Sequence, residues 1–353
     1  MKKIYFIATD KLTFLVERLR DGYAVFSPIA KVKNYTEETD YSFDRHASKE
    51  ALVFNPYRCV EPLKSFFTLA KEKAADYFMP ADGLKDLGKV IIFGVKSCDL
   101  QAHRIQDFVF LEGVAEDSLY KARRENTILI SSDCTAYKEV CFCLSMDVLP
   151  HPTIGFDINL SPLNDGFLAE VGSERGQKLI DDYPEYFAAA KDTQVAARAA
   201  KRNNLIERLK RDLAPKKIPP TSVQQRLIKE GFGLDTWAQF MQTCVECGGC
   251  NLICDTCHCF LLEDCKPSGT NEKVKMWDSC LYTNYARVAA GANPNKLRAQ
   301  RLRFRFTKKF DFFFEHLKIP ACCGCGRCIE VCPGKIDIRE VLKDLAKKLN
   351  IAQ

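Results

Sequence analysis

Apolar residues along this chain fall into short runs of two kinds, and their periods divide the sequence into elements. Within GKVIIFGVKS (88–97) the stretch Val90 to Val95 is apolar without interruption, the pattern of a strand covered on both faces. A helical pattern follows from Asp99 to about Phe108, with Leu100, His103 and Ile105 on its repeat. NTILISSDC (126–134) is a second strand run and ends at a cysteine. FDINL (156–160) and GFLAEVG (166–172) predict further strands, and 174–190 predicts a helix. Strand, helix, strand in that order argues for a partly parallel sheet. Residues 192–213 form a charged helical pattern with a narrow apolar stripe, and APKKIPPTS (214–222) reads as a connector. Further on, Leu234 to Thr243 predicts a helix that delivers Cys244. RLRFRF (301–306) has period two and predicts an extended segment. IDIREVLKDLAKKLN (336–350) predicts an amphipathic helix, with acids early and lysines late as the helix dipole favours.

These elements predict an α/β domain over 1–190, a charged helix and linker over 191–222, and a helical domain over 223–353. A chain of 353 residues is long enough for two or three cores. No apolar stretch approaches the ~20 residues of a spanning helix. The start, MKKIYFIATDKL, has no apolar region of signal-peptide length, so a cytosolic location is expected. The net charge of +6 decides little. Cysteine usage decides more: of 18 cysteines, 13 lie between 244 and 332, which suits metal ligation in a reducing compartment better than disulfides.

Two stretches repeat one spacing. Cys244, Cys247, Cys250 and Cys254 read C-x2-C-x2-C-x3-C, and so do Cys322, Cys325, Cys328 and Cys332, followed by Pro333. This is the ligand run of a bacterial two-cluster ferredoxin, in which the fourth cysteine of each run serves the other run's cluster. The predicted sets are Cys244, Cys247, Cys250 and Cys332 for one [4Fe–4S] cluster, and Cys322, Cys325, Cys328 and Cys254 for a second. A pair of zinc sites is the competing reading, although zinc favours paired C-x2-C units separated by a longer loop. Gly248, Gly249, Gly324 and Gly326 are read as cofactor-binding positions whose backbone amides approach inorganic sulfur. Asp255 stands where proline is expected, and Cys323 beside Cys322 leaves the ligand at that corner open between the two.

Cys98 and Cys134 each end a strand run, and Cys141 and Cys143 follow closely. Carboxyl ends of neighbouring parallel strands lie together, so these four thiols suit a third [4Fe–4S] cluster. A zinc site or four unrelated buried thiols are the alternatives. Cys257, Cys259, Cys265 and Cys280, with His258, are read as a further metal site or as reduced thiols near the clusters. Cys59, His46 and His103 read as structural. The basic stretch KLRAQRLRFRFTKK (296–309) reads as a solvated face, a partner-docking surface or a set of cations stabilising reduced clusters; a nucleic-acid grip is the weaker option. No dinucleotide or Walker motif occurs, so neither flavin nor nicotinamide is expected on this chain.

Several segments together resemble a known family: KSFF (64–67), GVKSCDLQAHRIQD (94–107), RRENTILISSDC (123–134), CFCLSM (141–146), EVGSERG (170–176), CVECGGCNLICDTCHCF (244–260), WDSC (277–280), NPNKLRAQRLRFRFTKKF (293–310) and CCGCGRCIEVCPGKIDI (322–338). In combination they resemble the iron–sulfur subunits of anaerobic sulfite reductase and of cytosolic sulfhydrogenase, in the latter its β subunit. The resemblance implies an electron-transfer subunit with no catalytic residue of its own. It would relay electrons between a flavin- and NAD(P)H-oxidising partner and a terminal sirohaem or nickel–iron subunit. The resemblance also favours the third cluster, since its four cysteines lie in matching segments. The alternative is a subunit with its own catalytic cluster or thiol site in the Cys257–Cys265 region, resembling heterodisulfide reductase.

Overall fold

The computed structural model describes residues 3–32, 38–47, 52–77, 88–266 and 271–351; Met1 and Lys2 of the lysine-bearing start lie outside them. The first region is built on an eight-stranded mixed sheet. Its strands are β1 (Ile4–Ala8), β2 (Ala24–Val32), β3 (Thr39–Arg45), β5 (Val90–Val95), β6 (Thr127–Ser132), β7 (Ile158–Pro162), β8 (Gly166–Val171) and β9 (Ala188–Ala189), with β4 (Lys71–Asp76) lying elsewhere. Their order is β3-β2-β5-β6-β7-β8-β1-β9. The strands β2, β5, β6 and β7 run parallel and form its centre. Alternation within the apolar runs feeds two cores. Ile91, Phe93, Ile128 and Ile130 face Leu12, Leu15 and Leu19 of the helix Thr9–Leu19, while Ile92 and Leu129 face Leu100, Phe110 and Tyr120 on the other side. Burial on both faces is why β5 carries no polar side chain, while the buried Thr127, Ser131 and Ser132 of β6 each have a hydrogen-bond partner.

The helix Ser97–Phe110 leaves the end of β5, and Asp192–Leu213 spans the charged pattern, burying only Leu205, Leu209 and Leu213 at four-residue spacing. Residues 174–190 hold a shorter helix, Glu174–Asp182, before a single turn and β9. The stretch expected to be helical from Leu234 is a short helix, Thr236–Phe240, after which a turn brings in Cys244.

Two expectations are corrected. The later region is not helical throughout: β10 (Phe260–Cys265) and β11 (Glu272–Trp277) form a hairpin, and β11 pairs with β4 of the first region. That junction buries Glu72 between Arg123 at 2.6 Å and Lys275 at 2.8 Å. The segment RLRFRF is not extended either. It lies in the helix Arg298–Thr307, which continues through a wider turn at Lys308–Phe312. At helical spacing, Leu302, Phe306 and Phe310 form one stripe against Leu342 and Leu345 of the helix Ile338–Lys348. Arg301, Arg305 and Lys309 form a second stripe beside it. The period-two alternation is therefore two interleaved four-residue repeats, one apolar and one cationic, both buried on a helix.

Candidate metal centre

The two cysteine runs adopt the same backbone path. Glu246 and Gly324, each directly before the second cysteine of its run, have φ of +58° and +64°. Gly248 and Gly326, each just after the second cysteine, have φ of +70° and +73° and begin the short helices Gly249–Leu252 and Arg327–Glu330. In the first run the amide of Glu246 donates to Cys244 Sγ at 3.4 Å. In the second, the amide of Gly324 makes the equivalent bond to Cys322. The match assigns Cys322, rather than Cys323, the position that Cys244 holds in the first run.

One cavity is lined by Cys244, Cys247, Cys250 and Cys332. A second is lined by Cys254, Cys322, Cys325 and Cys328, with Cys98 and Cys323 also on its wall. The first cavity thus takes three sulfurs from the first run and Cys332 from the second, the second cavity takes three from the second run and Cys254 from the first, and Cys328 and Arg305 stand on the wall between them, lining both. Among the described residues no three metal-type side chains converge on a point that a single ion would fill.

The surrounding charge suits an anionic cluster. Arg305 is buried, its Nε donates to Asn251 Oδ1 at 2.8 Å, and its Nη2 has no partner. Lys309 Nζ lies 3.3 Å from Cys254 Sγ, and also donates to Thr256 Oγ1 at 2.7 Å. Burial works against the Lys309 charge, but Cys254 and Cys257 raise it further than burial lowers it. Cys254 is in turn held well below the usual thiol range, first by a hydrogen bond from Cys257 and then by Lys309 and Arg305. Buried cations and an orphaned guanidinium nitrogen fit a pair of cysteine-ligated iron–sulfur clusters, whose total charge is negative.

Asp255 shows what replaces proline at its corner. It accepts from the Lys64 amide at 2.7 Å and pairs with Arg327 at 3.3 Å, while Arg327 reaches Asp99 at 2.7 Å. All three side chains are at most 3% exposed. Burial and the neighbouring Asp99 push the Asp255 carboxyl up to about 8 against the pull of Arg327, whereas Arg327 outweighs burial at Asp99 and holds it down. The triad ties the second cysteine run to the helix that follows β5.

The glycines have packing roles beyond their φ angles. A Cβ on Gly324 would lie 2.6 Å from the Cys143 backbone, one on Gly326 would lie 2.4 Å from Val140 O, and one on Gly248 would strike the Tyr282 ring. The C-x-C loop therefore lies directly on the second run, and the Phe142 amide donates to Gly324 O at 2.8 Å. Cys134, Cys141 and Cys143 lie within electrostatic reach of one another. Cys98 neighbours both Cys134 and Cys325, so it stands between this group and the second cavity. Arg58 faces Cys141 and Cys325 with its Nη1 unpartnered. Cys59 is buried in the core, as is His103.

The extra cysteines separate. Cys257 bonds to Cys254, and Cys259 bonds to Cys280. Cys265 sits at the far end of the hairpin opposite Glu272, and His258 faces Phe313 with Nδ1 on Thr256 O. The sequence reading missed Arg58, Lys64, Asn251 and Arg327. Only a helical reading of 298–312 would have exposed the cationic stripe.

Residues 243–336 match the 4Fe-4S dicluster domain. Over 94% of its length the chain is 28% identical to the sulfhydrogenase 2 β subunit of Pyrococcus furiosus, covering 95% of that protein. It is also 24% identical to the F420-dependent formate dehydrogenase β subunit of Methanocaldococcus jannaschii, over 51% of this chain and 38% of that one. No helix among the described residues is long and apolar enough to cross a membrane. The dicluster match over residues 243–336 and the near full-length similarity to a sulfhydrogenase β subunit agree with the resemblance that the chain's own residues carry.

Proposed function

We propose that this chain is an electron-transfer subunit of an oxidoreductase complex, holding two [4Fe–4S] clusters in the cavities described above. The observation that carries the reading is the shared wall. Cys328 and Arg305 line both cavities, so the two clusters sit side by side under one buried positive charge. The wall of the first cavity includes exposed residues, Cys247 and Val245 (64% exposed), while that of the second is made of buried and half-buried residues, Cys98 and Phe142 of the first region among them. A relay with one surface terminus and one inner terminus follows. Cys98, Cys134, Cys141 and Cys143 would hold a third cluster at the inner end. Bound clusters supply one-electron chemistry; the chain supplies ligands, burial and the cations that set the potentials. The two relatives are subunits of redox enzymes by name. A flavin- or nicotinamide-oxidising donor and a sirohaem or nickel–iron acceptor are the proposed partners. The α/β region (1–190), linker (191–222) and cluster region (223–353) remain the proposed division of labour.

Anoxic purification tests this. The protein should be brown and carry about eight iron atoms for two clusters, or about twelve for three. It should give paramagnetic signals after dithionite and turn over no substrate alone. Iron-free, colourless protein would overturn the reading.

A further inference from the structure

The hairpin brings together two thiols that the relay does not use. Phe260 pairs with Trp277, and one step beyond, the Asp278 amide donates to Cys259 O at 2.9 Å. The two chains therefore leave the hairpin side by side, and Cys259 and Cys280 meet in a direct hydrogen bond. Their settings differ. Cys280 is 4% exposed and receives Asn251 Nδ2 at 3.1 Å. Cys259 is half-buried and lines a cavity with Lys64, Cys257, His258 and Trp277. The edge strand that begins beside it exposes Phe260, Leu261 and Leu262, at 40, 47 and 49%.

We propose that Cys259 and Cys280 form a redox-active dithiol that opens a small, uncharged organic disulfide. Cys259 is the attacking sulfur because it faces the cavity, and Cys280 resolves from behind. The Cys259 thiolate attacks one sulfur of the substrate. The substrate S–S bond breaks, the first thiolate leaves and takes up a proton, and a mixed disulfide remains on Cys259. Cys280 then gives up its proton and attacks Cys259 Sγ, expelling the second thiol. The substrate gains two electrons, and the pair becomes a Cys259–Cys280 disulfide. Hydrogen bonds from Cys280 and Tyr285 favour the thiolate of Cys259 against burial. The exposed apolar strand supplies a surface for uncharged substituents. Return to the dithiol needs two electrons and two protons. Their delivery by the neighbouring clusters is the one part that rests on the relay reading.

The test uses the anoxic full chain and bis(2-hydroxyethyl) disulfide. Two mercaptoethanol molecules should be released per chain, peptide mapping should join Cys259 to Cys280, and iron content should stay constant. The Cys280→Ser variant should stop at a mixed disulfide on Cys259, with one thiol released. If that variant does not fold, Cys259→Ala should abolish thiol release with iron unchanged. Linkage through other cysteines, thiol release that persists in Cys259→Ala, or loss of a cluster's worth of iron on replacing either residue would overturn the dithiol. The exchange is read by mass, so a failed relay, seen as iron-free protein, is distinguishable from a failed dithiol.

Discussion

Replacing Lys309 by methionine removes one buried positive charge while keeping nearly the same side-chain length. Its Nζ lies 3.3 Å from Cys254 Sγ, the sulfur proposed to reach the second cluster. An added electron is spread over the cluster beyond that sulfur, at a separation of about 6 Å. At an effective dielectric near 20 the attraction is about 3 kcal/mol. For a one-electron couple that corresponds to about 120 mV. The charge stabilises the reduced cluster, so Lys309→Met should lower one of the midpoint potentials by roughly that amount and leave the other little changed. Lys309→Arg keeps the charge and should move it far less. Redox titration followed by low-temperature paramagnetic resonance reads both. A rise, or a fall smaller than about 30 mV, would refute the inference that this buried cation tunes the cluster.

Cys322→Ser should cost about one cluster's worth of iron, whereas Cys323→Ser should retain it; metal analysis separates the two. Arg327→Gln leaves Asp99 buried without its partner and should destabilise the fold by about 3–5 kcal/mol. The anoxic urea midpoint measures this, and adding Asp99→Asn should recover part of the loss. Burial, aided by Arg124, holds His103 at about 3 instead of its ordinary 6.5. It stays neutral in the fold but charges in the unfolded chain. Its contribution is therefore present above pH 6.5 and lost as pH falls toward 3, on the order of 5 kcal/mol in all. In His103→Phe, the drop in thermal midpoint between pH 7 and pH 5 should shrink.

Order along the chain was legible where a property is local. Continuous apolar runs at 90–95 and 128–130 are strands because both faces are covered, and the narrow apolar stripe in 192–213 marks a surface helix. Cysteine spacing is local in the same sense: two intervening residues set how three sulfurs can turn toward one point, whatever the rest of the chain does. Alternation misled at RLRFRF because side chains of two four-residue repeats interleave there, and only the tertiary structure shows that both are buried, one against Leu342 and Leu345 and the other beside the cysteines.

What the sequence by itself determined is the inventory: two equal cysteine runs, four further cysteines beside strand ends, a surplus of cations near residue 300, and the strands of a partly parallel sheet. Tertiary structure decided which of these meet. It set the C-x-C loop on Gly324 and Gly326, joined β4 to β11 across some 200 residues, and buried Arg305 and Lys309 against the sulfurs. The physical reason is that spacing controls geometry over a few residues. A buried charge, by contrast, is tolerated only where distant segments supply its counter-charge, and no local pattern carries that information.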